Sequence, residues 1–114
     1  MKSNKTPQWV KNLDLNDPNR ELLEQLVLAG KKPLEAPRTI VFVLRGRMEN
    51  KDLLNTIQIN GWTIDTGFDN GFWIEAKKDL YVITQKDLIH DETTFITLAK
   101  LYGWDYDGWL ASVC

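Results

Sequence analysis

The fold is decided by one stretch of eight residues, Arg38-Thr39-Ile40-Val41-Phe42-Val43-Leu44-Arg45. β-Branched and aromatic residues fill this stretch, and that composition is typical of a β-strand. Because apolar residues run unbroken from Ile40 to Leu44, the pattern predicts a central strand that is covered on both faces. We therefore expect neighbouring strands to pair with it on both sides.

A helix is predicted before this strand. Asp17 is a good N-cap, and Pro18 suits the first helical position because no N–H is needed there. Gly30 suits a left-handed stop after the last turn. The sequence therefore predicts a helix from Pro18 to Ala29, preceded by an N-terminal tail over residues 1–16 that either docks on the domain or stays mobile.

A second helix and a hairpin are predicted after the central strand. Asn50 can cap a helix through about Ile59, and Gly61 can close it before a strand that begins at Trp62. The run Asp69-Asn70-Gly71 is a hairpin turn signal, because Asn-Gly tolerates the positive φ angles of a type I′ turn, so the chain should run back from it. Residues 72–84 then return, either as one long strand with a bulge or as two short strands.

The last third of the chain predicts a helix and a final strand. Asp91 is expected to begin the helix and Gly103 to end it, and residues 104–110 follow as strand. Leaving aside the first helix, the order of elements is βαββαβ. We therefore expect an α+β fold over residues 17–114 as a single domain: a ferredoxin-like antiparallel sheet with helices on one face, plus an extra N-terminal helix.

Composition and charge narrow the class of protein. The chain has 114 residues with 43% hydrophobic and 26% charged residues, which is the range of globular domains. Residues 1–60 hold ten basic and seven acidic side chains, whereas residues 61–114 hold four and nine, which argues against a nucleic-acid surface on the second half. The only cysteine is Cys114, so no intrachain disulfide can form, and we expect a protein of the reducing cytoplasm, without a membrane span.

Residues suited to catalysis or metal binding are few. His90 is the only histidine, and neither serine has a predicted base beside it. The run His90-Asp91-Glu92 has adjacent side chains that do not readily converge on one ion. Asp105 and Asp107 would lie on one side of a strand, about 7 Å apart, but solvated carboxylates are the preferred interpretation. We therefore expect no enzyme, no metal and no cofactor.

Aromatic residues give the positive functional signal. The chain has five tryptophans, and this residue concentrates binding energy at protein interfaces. Strand alternation assigns Trp104 and Tyr106 to the core, while Gly108 permits a turn that redirects the next residue. The predicted partner-binding residues are Trp73, Asp105, Asp107, Gly108 and Trp109.

The segment Leu98 to Trp109 resembles the signature of the regulator of ribonuclease E activity B (RraB) family, in which a helix is followed by a Tyr-Asp-Gly-Trp strand. Here that motif is Tyr106-Asp107-Gly108-Trp109. The resemblance covers about residues 18–113 and implies a ferredoxin-like domain that binds ribonuclease E and restrains RNA decay by protein contact.

Two other functions stay open at the level of sequence. The chain could bind another protein, for example as an immunity factor that neutralises a toxin. It could also bind RNA, because RNA-recognition domains share this strand order. Residues 70–76, however, match the RNA-binding motif of those domains only at Gly71 and Phe72.

Overall fold

The structure is a computed structural model that describes residues 6–30 and 33–112. Cys114 and part of the predicted N-terminal tail lie outside these ranges. Within them the chain forms, in order, α1 (Gln8–Lys11), α2 (Pro18–Ala29), β1 (Arg38–Gly46), α3 (Lys51–Ile59), β2 (Thr63–Phe68), β3 (Phe72–Tyr81), α4 (Gln85–Tyr102) and β4 (Asp105–Ala111). The fold is therefore α+β.

The four strands of the described chain form one antiparallel sheet in the order β2-β3-β1-β4. The prediction that β1 is central is confirmed, since it pairs with β3 and β4. The prediction that both of its faces are covered is wrong. Ile40, Phe42 and Leu44 are fully buried, whereas Val41 and Val43 between them are only half-buried. The alternation arises because the core covers one face of the sheet.

A single apolar core lies between that face and the helices. Phe42 stands at its centre, stacked on Phe95 of α4 with ring centroids 4.8 Å apart and edge-on to Trp62 at 5.4 Å. Each large side chain buried in this way contributes about 1.5–3 kcal/mol relative to exposure. Helix α1 adds Val10, which is completely buried, so part of the segment predicted as a tail packs on the core.

The starts of α2 and α3 follow the predicted caps. Asp17 accepts a hydrogen bond from the N–H of Asn19 at 2.9 Å, and Asn50 accepts one from the N–H of Leu53 at 3.1 Å. The end of α2 differs from the prediction, because Gly30 is extended (φ −77°, ψ 148°) rather than left-handed. Its N–H still bonds to the last turn, so the helix stops without a glycine-specific conformation.

The start of α4 corrects the prediction that Asp91 begins this helix. The helix begins at Gln85, and the N-cap Thr84 accepts a hydrogen bond from the N–H of Asp87 at 3.1 Å. The spacing from Thr84 to Asp87 resembles a capping box, a signal that the sequence contained. The end of α4 is as predicted, since Gly103 is left-handed with φ +71°.

The hairpin and the strand that follows it are now defined. The turn consists of residues 69–71, where it was predicted, with Phe68 paired to Phe72 and a positive φ at Asn70 and Gly71. Residues 72–81 form one strand, which resolves the two alternatives. An irregularity near its end, where Leu80 has φ +56°, shifts the pairing with β1 by one residue.

Candidate functional site

The last strand carries a bulge at Gly108. Tyr106 pairs with Leu44 and Trp109 with Phe42, so a step of three residues on β4 matches a step of two on β1. Gly108 has φ +98°, a conformation that costs glycine little because it has no Cβ. The extra residue turns Trp109 to the same side of the sheet as Tyr106.

A chain of hydrogen bonds joins these two aromatic residues to the helices. The Tyr106 hydroxyl donates to Glu92 Oε2 at 2.7 Å, and Asn19 Nδ2 donates to Glu92 Oε1 at 2.6 Å. Trp109 Nε1 in turn donates to Asn19 Oδ1 at 2.8 Å. Burial, followed by the contact with Glu92, raises the pKa of Tyr106 well above its usual value. The network connects β4 to α2 and α4.

This geometry assigns structural roles to three residues of the Tyr-Asp-Gly-Trp motif. Tyr106 and Trp109 hold the network, and Gly108 provides the bulge that brings them together. Trp109 is only 4% exposed, so it offers no side-chain surface to a partner in this structure. Of the four motif residues, Asp107 alone has an exposed side chain that points away from the core.

The opposite side of the sheet, which we call the open face, lies away from the core and from the helices packed on it. Three cross-strand rows define it, since paired residues point to the same side. From β2 to β4 the rows are Thr63, Lys77, Val41 and Leu110; Asp65, Glu75 and Val43; and Gly67, Trp73, Arg45 and Asp105. Asp107 lies at the bulge beside the second row.

The open face brings together three of the five predicted partner-binding residues. Arg45 pairs across the sheet with Trp73 on one side and Asp105 on the other. Its Nε lies 3.1 Å from Asp107 Oδ2, and both side chains are about half exposed. Sequence reasoning missed Arg45, although strand alternation places it on the same side as Val41 and Val43.

Gly67 is a second residue that the sequence analysis missed. A Cβ at this position would lie 2.4 Å from Cζ2 and 2.7 Å from Cε2 of Trp73. Only a residue without a side chain therefore lets the indole lie directly over β2. A glycine inside a strand is a known sign of such close approach, and it could have identified this position. Trp73 is thereby held as a flat, half-buried ring on the open face.

Acidic side chains outnumber basic ones on the open face. Asp65 and Glu75 stand directly opposite each other on β2 and β3. Like charges in this arrangement destabilise a sheet slightly. With Asp105 and Asp107 the rows carry four carboxylates, against the two cations Arg45 and Lys77. Arg45 is already paired, so the Asp65–Glu75 side of the face is locally negative.

Other kinds of site have little support in the part of the chain that the structure describes. Residues 6–30 and 33–112 contain no group of three or more His, Cys, Asp or Glu side chains placed to hold a metal ion. Asp91, from the run that sequence analysis considered, accepts a hydrogen bond from the Tyr81 hydroxyl at 2.6 Å. None of the described helices has the length and apolar character needed to cross a bilayer.

Comparisons with protein-family models, with curated proteins and with solved structures gave no match for this chain.

Proposed function

We propose that this chain is a protein-binding regulator that acts by contact through the open face and catalyses no reaction. One observation carries the proposal: an indole held flat by Gly67 lies in a half-apolar sheet surface that the described helices leave uncovered. An aromatic residue with aliphatic neighbours and a charged surround is the usual composition of a protein interface.

The centre of the open face is apolar. Val41 and Val43 are half-buried, and Leu110 beside them is 61% exposed. A shallow groove of about 330 Å³ lies at the end of the open face that the row of Val41 and Leu110 forms. It is lined by Thr39, Val41, Lys77, Leu110, Ala111 and Ser112. From strand spacing and rise, the three rows cover roughly 400 Å². This is about half of what one partner contributes to an ordinary interface, which suits a short segment of a partner.

The resemblance to the RraB family makes ribonuclease E the first partner to test. The order βαββαβ with the sheet order β2-β3-β1-β4 supports the ferredoxin-like interpretation on which that resemblance rests. In this proposal the chain lowers the rate of RNA cleavage by occupying a surface of the nuclease. A toxin-neutralising role would use the same face with another partner.

RNA binding is the less favoured alternative. RNA-recognition domains stack bases on aromatic residues of an equivalent sheet face, and Trp73 could act in this way. The acidic majority on the face opposes it, because a phosphate backbone requires basic side chains nearby.

A purified cleavage assay tests the proposal. Ribonuclease E is titrated with the wild-type chain, with Val43→Glu on the open face and with Leu28→Glu as the control. Leu28 is 85% exposed on α2, so this control introduces the same charge away from the face. We expect the wild type and the control to slow cleavage equally. For the same inhibition, at least a tenfold higher concentration of Val43→Glu should be required.

Two results would contradict the proposal in different ways. If the wild type neither binds ribonuclease E nor slows its cleavage of RNA, ribonuclease E is not the partner. A nuclease-treated pull-down from host lysate would then be used to identify another partner. If Val43→Glu, folded by circular dichroism, retains full binding to any protein so found, then the open face is not the docking surface.

A further inference from the structure

The chemistry of the open face indicates what kind of segment would bind there. This inference rests on the proposed function and extends it to the partner. We infer that the face binds a positively charged, arginine-containing segment, with one guanidinium stacked on the Trp73 indole and paired with the carboxylates of Asp65 and Glu75.

The first argument is the position of the indole. Trp73 lies over Gly67, so its ring packs on β2, and because the residue is only half-buried, part of the indole stays accessible. An exposed indole face attracts cations, and a planar guanidinium stacks on it better than an ammonium does. Within the described residues the cation–π contact is elsewhere: Lys78 Nζ lies 4.2 Å from the ring centre of Trp62.

The second argument is charge. Asp65 and Glu75 are neighbours of Gly67 and Trp73 in the adjacent row, and they oppose each other across β2 and β3. No ion pair of either carboxylate is found within residues 6–30 and 33–112, where Arg45 is paired with Asp107. A partner guanidinium would relieve the repulsion between the two carboxylates and donate hydrogen bonds to their oxygens, since a guanidinium only donates and a carboxylate only accepts.

The third argument is the size and division of the face. An arginine over Trp73 occupies the end near the hairpin, while the apolar groove beside Val41 and Leu110 lies at the other end. The two ends are two rows apart, roughly 14 Å, which is the length of about four extended residues. A segment with an arginine and an apolar residue at that separation would therefore satisfy both ends at once.

Synthetic peptides test the inference without knowledge of the partner. The probe is a fluorescein-labelled 12-residue peptide with four arginines and one leucine among Gly and Ser, followed by fluorescence anisotropy. Matched peptides replace every arginine by lysine or by glutamate, and a labelled 12-nucleotide oligouridine tests RNA. We expect the affinity to fall from the arginine peptide to the lysine peptide and then to the glutamate peptide. The oligouridine should bind more weakly than the arginine peptide.

Variants locate the site. Trp73→Ala should lower the affinity for the arginine peptide about tenfold, the loss expected for a partly desolvated cation–π contact. Gly67→Ala should weaken it similarly, because the new Cβ displaces the indole while all charges stay the same. In a Trp73→Ala background, Gly67→Ala should have no further effect. If Gly67→Ala fails to fold, Trp73→Ala alone decides, since its side chain is outside the core.

Net charge needs its own control. Asp65→Asn with Glu75→Gln should reduce binding about tenfold, whereas Glu21→Gln with Glu49→Gln, an equal change at two exposed positions elsewhere, should reduce it less than twofold. Equal losses in the two double variants would mean general attraction to an acidic protein and would overturn the inference. Tighter binding of oligouridine, or equal binding of the glutamate peptide, would overturn it as well.

Failure of this inference can be distinguished from failure of the proposed function. If Val43→Glu abolishes partner binding but Trp73→Ala and the Asp65/Glu75 double variant do not, the docking face stands and the arginine site is wrong. If the peptide binds as expected but ribonuclease E does not, the site stands and the partner is a different protein.

Discussion

Removing the Tyr106 hydroxyl should destabilise the fold without changing its packing. In Tyr106→Phe the ring remains, and only the 2.7 Å hydrogen bond to Glu92 is lost. Glu92 keeps its bond from Asn19, so the carboxylate is not left without a partner. The variant therefore isolates one link of the network that connects β4 to α2 and α4.

The expected loss follows from the charge of the acceptor. Hydrogen bonds to charged groups contribute about 1.5–3 kcal/mol, and because Glu92 retains one partner we expect a loss of about 2 kcal/mol. For a chain of this length that corresponds to a fall in Tm of roughly 8 °C. Glu92→Gln should show coupling of about 1 kcal/mol with Tyr106→Phe in a double-mutant cycle, since the two side chains share this bond.

Urea unfolding followed by tryptophan fluorescence measures these changes. Tyr102→Phe is the matched control, because its ring is also half-buried against the core but its hydroxyl makes no hydrogen bond within the described chain. We expect the control to change the free energy of unfolding by less than ~0.5 kcal/mol. If Tyr106→Phe also leaves the free energy of unfolding unchanged but lowers the affinity for the partner, the motif is functional and the structural interpretation is wrong.

Three further predictions concern the bulge, alkaline pH and a helix cap. Gly108→Ala should cost about 1–2 kcal/mol in urea unfolding, because its φ of +98° disfavours a Cβ although no atom lies within 4 Å of the new methyl; an unchanged midpoint would mean that the bulge relaxes freely. Burial, and then hydrogen bonds to Asp91 and Glu92, raise the pKa values of Tyr81 and Tyr106 above 10. The unfolded chain loses these protons from about pH 10 while the folded chain keeps them, so the free energy of unfolding should be level below pH 10 and fall above it by about 1.4 kcal/mol per pH unit for each tyrosine. Replacing both tyrosines by Phe should remove that fall, and a persistent slope would assign it to other groups. Thr84→Ala should cost about 1 kcal/mol of thermal stability through loss of the α4 N-cap, whereas Thr84→Ser should cost little.

Local signals in the sequence predicted most of the elements of the fold. The caps at Asp17 and Asn50 and the stop at Gly103 each depend on a few neighbouring residues, so they could be recognised without tertiary information. The composition of residues 38–45 likewise predicted a strand, and the structure places it at the centre of the sheet. Where local signals competed, as before α4, the strand-like residues up to Thr84 obscured the cap.

The candidate site was predicted only in part. Trp73, Asp105 and Asp107 lie together on the open face. The ion pair between Arg45 and Asp107, however, joins residues that are 62 positions apart in the sequence. Gly67 acquires its meaning only because β2 and β3 pair in a register that sets it beneath the indole. Neither relation is visible in a short window of sequence.

The sequence by itself determined most of the helices and strands, except α1 and the first turns of α4, and showed that the chain has aromatic and acidic residues available for binding. Only the tertiary structure decided which of those residues face outward. Trp109 shows the physical reason: side chains alternate along a strand, so the single extra residue at Gly108 reverses the face of every residue after it. That reversal places Trp109 in the core and leaves Leu110 beside Val41 on the open face.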